Sequence, residues 1–296
     1  MLNRRRFLKG LLATTLAGLF VSVYGLVIEP MLRLRVTTWK ISPATWRKGH
    51  KLRIAIVTDL HMGEPYMGLA RLRKIVKRTN GLGADIIVLL GDHNASHKFV
   101  LTPVDITKTA KELKKLDAPL GVFSVLGNHD WWQDTVAQKS GKGPIIAQRA
   151  LEAEGIAVLE NTALKVGTGD SAFWLLGLGD QMAIRSRPLR HSGVDDLPAT
   201  LAQVTDDAPA ILLAHEPDIF PQVPNRIALT LSGHTHGGQI RLFGWAPIVP
   251  SRYGNRFVYG HIIEQGRDLV VSGGLGCSIL PVRMGSVPEI TIVELS

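Results

Sequence analysis

The chain has 296 residues, with 34 Lys and Arg against 25 Asp and Glu, a formal charge of +9. At ~100–200 residues per domain this is one large domain or two small ones, and 45% hydrophobic residues exclude wholesale disorder. The single cysteine, Cys277, excludes an internal disulfide framework and any multi-cysteine metal site.

The charge is uneven. Residues 1–50 carry nine basic side chains and one acid, Glu29, so they hold +8 of the +9. The near-neutral remainder argues against a broad nucleic-acid footprint. Asn3 to Lys9 is basic, and Gly10 to Ile28 then runs without a charge. As a helix that run spans roughly 28 Å, close to the ~30 Å hydrocarbon core of a bilayer. Arg4-Arg5, then Phe7-Leu8-Lys9, resembles a twin-arginine export signal, with Asn3 where that signal usually has Ser or Thr. No small-x-small cleavage site follows. The expectation is an uncleaved signal and single-pass anchor over 1–30, in a bacterial cell membrane, with the folded part on the exported side. Residues 31–50 are expected to form a membrane-proximal segment. Its Arg33, Arg35, Lys40, Arg47 and Lys48 would lie at the lipid headgroups. A folded domain would then occupy 51–296.

From Lys51 onward, apolar runs alternate with amphipathic stretches. Strands are expected at 52–58, 85–90 and 120–126, and helices at 69–80, 106–116 and 143–154. Farther on, strands are expected near 157–160, 163–166, 173–177, 210–214, 228–232, 269–272 and 289–294, with few helices between. Ser186–Pro198 reads as a surface loop. This pattern predicts α/β structure with a second sheet packed on the first.

Polar residues follow the apolar runs at five points. They are Asp59-Leu60-His61, Gly91-Asp92, Gly127-Asn128-His129-Asp130, His215, and Gly233-His234-Thr235-His236-Gly237-Gly238. Ligand crevices of α/β sheets lie beyond the carboxyl ends of strands. Imidazole, carboxylate and Asn carbonyl without thiolate suit ions such as Mn, Fe or Zn. Two ions ~3.5–4 Å apart clamp a phosphoryl group and activate water near neutral pH. One short motif alone would be weak, since a lone histidine is commonly a core residue; the ordered set of five is specific.

These residues resemble the calcineurin-like metallophosphoesterase superfamily over Lys51 to the C-terminus. The resemblance implies a four-layer αββα sandwich of two mixed sheets and a dinuclear metal centre. One ion would take Asp59, His61, Asp92 and His236; the other would take Asp92, Asn128, His215 and His234. His129 would contact the substrate phosphate or protonate the leaving group, with Asp130 orienting it. Ser251-Arg252-Tyr253, Tyr259-Gly260, Val271–Gly276, Pro281-Val282-Arg283 and Pro288-Glu289-Ile290 resemble the membrane-associated, YkuE-like bacterial branch. The implied substrate is a phosphorylated small molecule or lipid, with UDP-2,3-diacylglucosamine as one candidate, and the implied partner is the twin-arginine machinery. A monomer is expected.

Three further residues are candidates for substrate contact. Arg283 is placed to bind phosphate bidentately. His93 stands beside the bridging Asp92, where it either touches substrate or is a loop residue. Trp131, with Trp132, either stacks on substrate or packs at the lip. The apolar loop Leu242–Tyr253 faces a membrane or lipid, or is buried under its own domain. A nuclease or cyclic-nucleotide phosphodiesterase on the same scaffold, or a non-catalytic envelope-binding protein, are the competing functions.

Overall fold

A computed structural model describes residues 3–95, 97–187 and 190–296. An apolar helix, α1 (Arg4–Val23), carries no buried side chain and is capped by the Asn3 carboxamide accepting from Arg5 N at 2.9 Å. It runs into a π-helical turn, Tyr24–Leu32, in which Gly25, Glu29 and Pro30 are buried. The combined helix Arg4–Leu32 is long and apolar enough to cross a membrane.

The body is two six-stranded sheets. The first contains β1 (Arg35–Ile41), β2 (Leu52–Val57), β3 (Ile86–Leu90), β4 (Val122–Val125), β5 (Ala157–Val158) and, from the C-terminus, β12 (Glu289–Leu295). Their order is β1-β12-β2-β3-β4-β5. The second contains β6 (Thr162–Val166), β7 (Phe173–Gly177), β8 (Ala210–Leu213), β9 (Ile227–Ser232), β10 (Gly260–Glu264) and β11 (Arg267–Val271), ordered β10-β11-β9-β8-β7-β6. Both sheets are mixed. In the first, β2, β3, β4 and β5 run parallel while β12 is antiparallel to β2. In the second, β7, β8, β9 and β11 are parallel, with β6 and β10 antiparallel at the edges.

Side-chain alternation builds the layers. Ile54, Ile56, Val88 and Leu90 meet Ile211, Leu213, Leu229 and Val270 between the sheets. Ala55, Val57, Ile87 and Leu89 face the helices α2 (Leu69–Asn80), α3 (Ile106–Leu113) and α6 (Ile146–Ala153). The outer face of the second sheet packs Leu176, Leu212 and Leu269 under α7 (Leu197–Ala202) and short 3-10 turns. The result is the expected four-layer sandwich. Both faces of β3 are buried, which is why its sequence is an unbroken apolar run.

The structure corrects the expected organisation in two places. The first is the domain boundary at 51. Residues 35–41 form β1, parallel to β12 in the register Arg35↔Glu289 to Ile41↔Leu295. Trp46 is in the inter-sheet core. Three of the five basic side chains expected at lipid headgroups pair instead with acids: Arg35 with Glu289 at 2.6 Å, Lys40 with Glu294 at 3.9 Å and Arg47 with Asp170 at 3.1 Å. The second is Ser186–Pro198. It enters a hairpin of Ile184–Arg187 with Arg190–Ser192 and reaches α7; its Pro188 and Leu189 lie outside the described residues.

Candidate metal centre

The carboxyl ends of β2, β3, β4, β8 and β9 converge on one crevice between the sheets. β2 delivers Asp59 and His61, and β3 delivers Asp92. Asn128 opens α4 (Asn128–Trp132) after β4. β8 delivers His215, and β9 delivers His234 and His236. All seven side chains are buried. One ligand atom from each of Asp59, His61, Asp92 and His236 lies within 4.8 Å of the others, and the same holds for Asp92, His215 and His234. Asp92 belongs to both groups: its Oδ2 is 3.4 Å from His61 Nε2 and 3.3 Å from His215 Nε2.

The backbone is strained to achieve this. Asp59 (φ 55°), His61 (46°), Asp92 (54°), His234 (67°) and His236 (53°) all occupy the left-handed region. That costs an L-residue about 1–2 kcal/mol apiece. Strain gathered on these chemically capable residues is a mark of function. Gly127 is equally constrained, because a Cβ there would stand 2.4 Å from Asp92 Oδ1 and 2.8 Å from His215 Cε1.

The outer ring nitrogens aim the inner ones. His61 Nδ1 lies 3.1 Å from Asn94 O, His215 Nδ1 2.6 Å from Leu90 O and His234 Nε2 2.8 Å from Pro250 O. Each carbonyl accepts from the outer N–H. In His61 and His234 this leaves the lone pair of the other nitrogen facing the crevice. In His215 burial is outweighed by Asp92, which raises the ring well above its ordinary value and holds a proton on Nε2. His236 differs. Its Nδ1 faces Arg283 Nη2 at 3.1 Å, a donor, so in the metal-free chain the ring proton sits on Nε2, and a cation would bind there to the other tautomer. Burial pushes His61 down to about 4 and His236 well below its ordinary value. Burial also pushes Asp59 up to about 7. Asp92 is pushed up by burial too, but His215, His129 and His61 outweigh this and hold it well below the carboxylate range.

The donors fit divalent cations. Imidazoles, carboxylates and an amide oxygen converge with no thiolate. The Asn128 Oδ1 is buried and has no protein hydrogen-bond partner among the described residues. An orphaned buried acceptor is costly unless a cation completes it.

Two expectations about neighbouring residues, Asp130 and Arg283, are corrected, and His93 and Trp131 take the structural rather than the substrate-contacting alternative. Asp130 does not orient His129. Its carboxylate takes His93 Nδ1 at 3.0 Å, His93 N at 2.9 Å and Gly127 N at 3.1 Å, tying the β3 and β4 loops together. His93 is accordingly buried and held by Asp130. Trp131 is a core residue. Arg283 is fully buried, and its guanidinium N–H groups go to Gly273 O, Gly276 O, Ser286 O and His236 Nδ1, leaving none for a phosphate.

His129 does stand at the crevice. Its backbone N donates to Asp92 Oδ1 at 2.8 Å, its ring meets that of His61 at 5.0 Å, and its Nε2 is 3.4 Å from Ser278 Oγ. Burial pushes its ring down to about 3.

A third acidic group escaped the sequence reading. Asp180 and Glu216 approach His215 within 4.8 Å, and Asp180 Oδ2 and Glu216 Oε1 are buried without protein partners among the described residues. The signal was present. Gly179-Asp180 follows the apolar β7 run just as Gly91-Asp92 follows β3.

Comparison with known proteins agrees with this centre. The profile of the calcineurin-like phosphoesterases matches residues 52–238. The chain is 29% identical to the uncharacterized metallophosphoesterase YkuE of Bacillus subtilis, over 99% of this chain and 98% of that one. It is 30% identical to phosphodiesterase YaeI of Escherichia coli over the full length of both. A transmembrane protein with metallophosphoesterase domain from Danio rerio is 31% identical over 82% of this chain, which spans about half (53%) of that animal protein. The chain belongs to the calcineurin-like phosphoesterase family. By class it is a hydrolase of phosphoric esters, with buried His and Asp clusters able to hold divalent metals.

Proposed function

We propose that the chain is a membrane-anchored, two-metal phosphoesterase that hydrolyses a phosphoester or pyrophosphate bond of a membrane or envelope substrate. The observation that carries this is the convergence of Asp59, His61, Asp92, Asn128, His215, His234 and His236, with Asp92 shared and Asn128 Oδ1 orphaned. One ion is held by Asp59, His61, Asp92 and His236, the other by Asp92, Asn128, His215 and His234. Mn, Fe and Zn all suit these donors. When bound, two such ions supply Lewis acidity toward phosphoryl oxygen and a water activated near neutral pH.

The chain's own residues do the rest. Asp92 keeps both halves of the centre in register. His129, neutral in the free chain, donates an N–H to a phosphate oxygen. Asp130 fixes the loop on which His129 sits. The single-pass helix holds the domain at a bacterial cell membrane, on the exported side if the Arg4-Arg5 signal is read by the twin-arginine machinery. A UDP-2,3-diacylglucosamine-type lipid nucleotide or another phospholipid is the leading substrate. The name of the relative YaeI favours a diester over a monoester.

The test uses the full chain in detergent, loaded with Mn. Wild type should bind two ions and turn over an aryl phosphodiester. Asp92→Ala should lose both ions and at least about 10³-fold in turnover. His129→Ala should keep both ions and lose roughly 10²–10⁴-fold in kcat. A folded, metal-replete chain without turnover on a broad phosphoester panel overturns the enzyme reading. Equal metal loss in both variants overturns the role of His129.

A further inference from the structure

Two loops beside the centre present apolar side chains to solvent from strained backbone. In one, Leu242 and Trp245 bridge across a tight turn whose tip is Phe243 (φ 52°) and Gly244 (φ 89°), and the Phe243 side chain is fully exposed. In the other, Ile279 sits at φ 60° with 65% of its surface exposed. Left-handed backbone is uncommon for any side chain and a genuine outlier for bulky or β-branched ones. Neither residue gains burial in return. Strain that serves only to display an apolar side chain points to a partner.

Between the loops lies an apolar groove of about 110 Å³. Pro247, Ile248 and Pro250 form one wall, and Ile279, Leu280 and Val282 the other. His236 lines its inner end, so the groove opens onto the centre. On the far side, Leu280 and Val282 face Ser22 and Leu26 of the N-terminal helix across a second apolar cavity of about 480 Å³. Apolar surface therefore runs from the helix, past the loops, to the centre.

The helix identifies the occupant. Twenty exposed residues of α1 span about 30 Å, the thickness of a hydrocarbon core, and none of them is buried against the rest of the described chain. The end of this helix stands beside Leu280, so the Ile279–Leu280 loop lies at the end of the candidate span.

We propose that both loops dip into the leaflet entered by the helix, and that the groove takes a hydrocarbon chain of a membrane-resident phosphate ester whose phosphate lies at the centre. This rests on the phosphoesterase reading and assigns its substrate class and chain subsite. The substrate then reaches the ligands laterally from the lipid, keeping its chain out of water throughout.

Two experiments on the full chain test it. The first titrates the metal-loaded protein calorimetrically with ethyl, butyl, hexyl and octyl phosphate below their micellar concentrations. Affinity should rise about two- to fourfold per methylene in wild type and stay nearly flat in Ile248→Asp and Ile279→Asp. A flat wild-type series, or a rise that survives both substitutions, overturns the groove. Failure to bind inorganic phosphate together with failure to hydrolyse an aryl phosphoester overturns the phosphoesterase reading instead, and the groove assignment with it. The second reconstitutes the chain in phosphatidylcholine vesicles carrying brominated acyl chains. Trp245 should be quenched, shown by the loss of that component in Trp245→Phe. Equal quenching in the two proteins places the loop outside the bilayer and overturns the docking.

Discussion

The centre and the first fifty residues are attached to the fold in different ways. Each ligand lies within four residues of the end of a buried strand, and the loop that carries it is fixed by bonds to neighbouring strand ends, such as Asp59 N to Gly91 O and His61 N to Asp92 O. Several of the bonds that hold the N-terminal segment cross more than 250 positions of sequence. Arg35 and Thr37 reach Glu289, and Glu29 reaches Ser286. A strand end can be recognised from the run that precedes it. A partnership across the whole chain leaves no local mark.

That difference makes the largest prediction. Residues 51–296 alone, the unit the sequence suggests, lack β1, Trp46 and the counter-ion of Glu289. Removing them bares the edge of β12 and leaves a buried carboxylate unpaired. The fragment is expected to aggregate or to lose most of the ~5–15 kcal/mol that such a domain possesses. Size exclusion and thermal unfolding against the full chain in detergent will decide. A monomeric fragment with full-length melting would mean that the first fifty residues are an appendage after all.

A narrower break separates the regions without truncation. Glu289 is fully buried and accepts from Arg35, Thr37, Tyr259 Oη at 2.9 Å and Gly273 N at 3.1 Å. Arg35 is its only cationic partner among the described residues. Because the guanidinium is nearly half exposed, its loss is screened. Arg35→Ala should cost about 1–3 kcal/mol, seen as a fall of a few degrees in melting temperature, while metal content stays at two. Asp92→Ala should show the converse, with metal lost. If Arg35→Ala also empties the centre, the two regions are one cooperative unit.

The same contrast governs what was legible. The two-sheet class follows from apolar runs, the helices α2, α3 and α6 from the amphipathic stretches between them, and the seven candidate ligands from metal-capable side chains just past five of those runs, three of them after a glycine. β1 was missed because its charges, Arg35 and Lys40, look like membrane-surface residues until they meet Glu289 and Glu294 directly across the parallel register. The sequence carries both halves of that pairing, RVTTWK and EITIVE, but nothing local says they meet. Arg283 was misassigned for a related reason. An arginine between Pro281 and Gly285 reads as a surface cation, and only the folded chain surrounds it with the carbonyls of Gly273, Gly276 and Ser286.

Metal uptake gives a smaller, pH-dependent effect. Asp59 is raised to about 7 by burial, so near that pH about half of the metal-free chain carries a proton there. A cation must displace it, along with the Nε2 proton that Asp92 holds on His215. Apparent affinity should therefore fall as pH drops through 7, by up to about tenfold per unit for each proton released. Calorimetric titration with Mn in buffers of different ionisation enthalpy counts the protons. Zero release at pH 6.5 would contradict the protonation assigned to Asp59.

The smallest effect tests whether the regions communicate at all. Glu29, buried in the π-helical turn, accepts from Ser286 N at 2.8 Å, and Ser286 Oγ in turn donates to His236 O at 2.8 Å. Arg283 N donates to Gly25 O at 2.9 Å while its guanidinium meets His236 Nδ1. The base of the anchor thus supports a ligand residue through two short relays. Glu29→Ala leaves the Ser286 N–H buried and unpaired, whereas Glu29→Gln keeps an oxygen in place. A direct outer-shell partner is worth about 10–100-fold in metal affinity, and a group one bond farther out should be worth less. Glu29→Ala is expected to weaken the ion on the His236 side about three- to tenfold, and Glu29→Gln less than twofold, by competition with a metal indicator. Rescue by Gln but not by Ala is the signature of a hydrogen bond that holds the ligand. Equal, wild-type affinity in both would mean that the anchor touches the centre without supporting it.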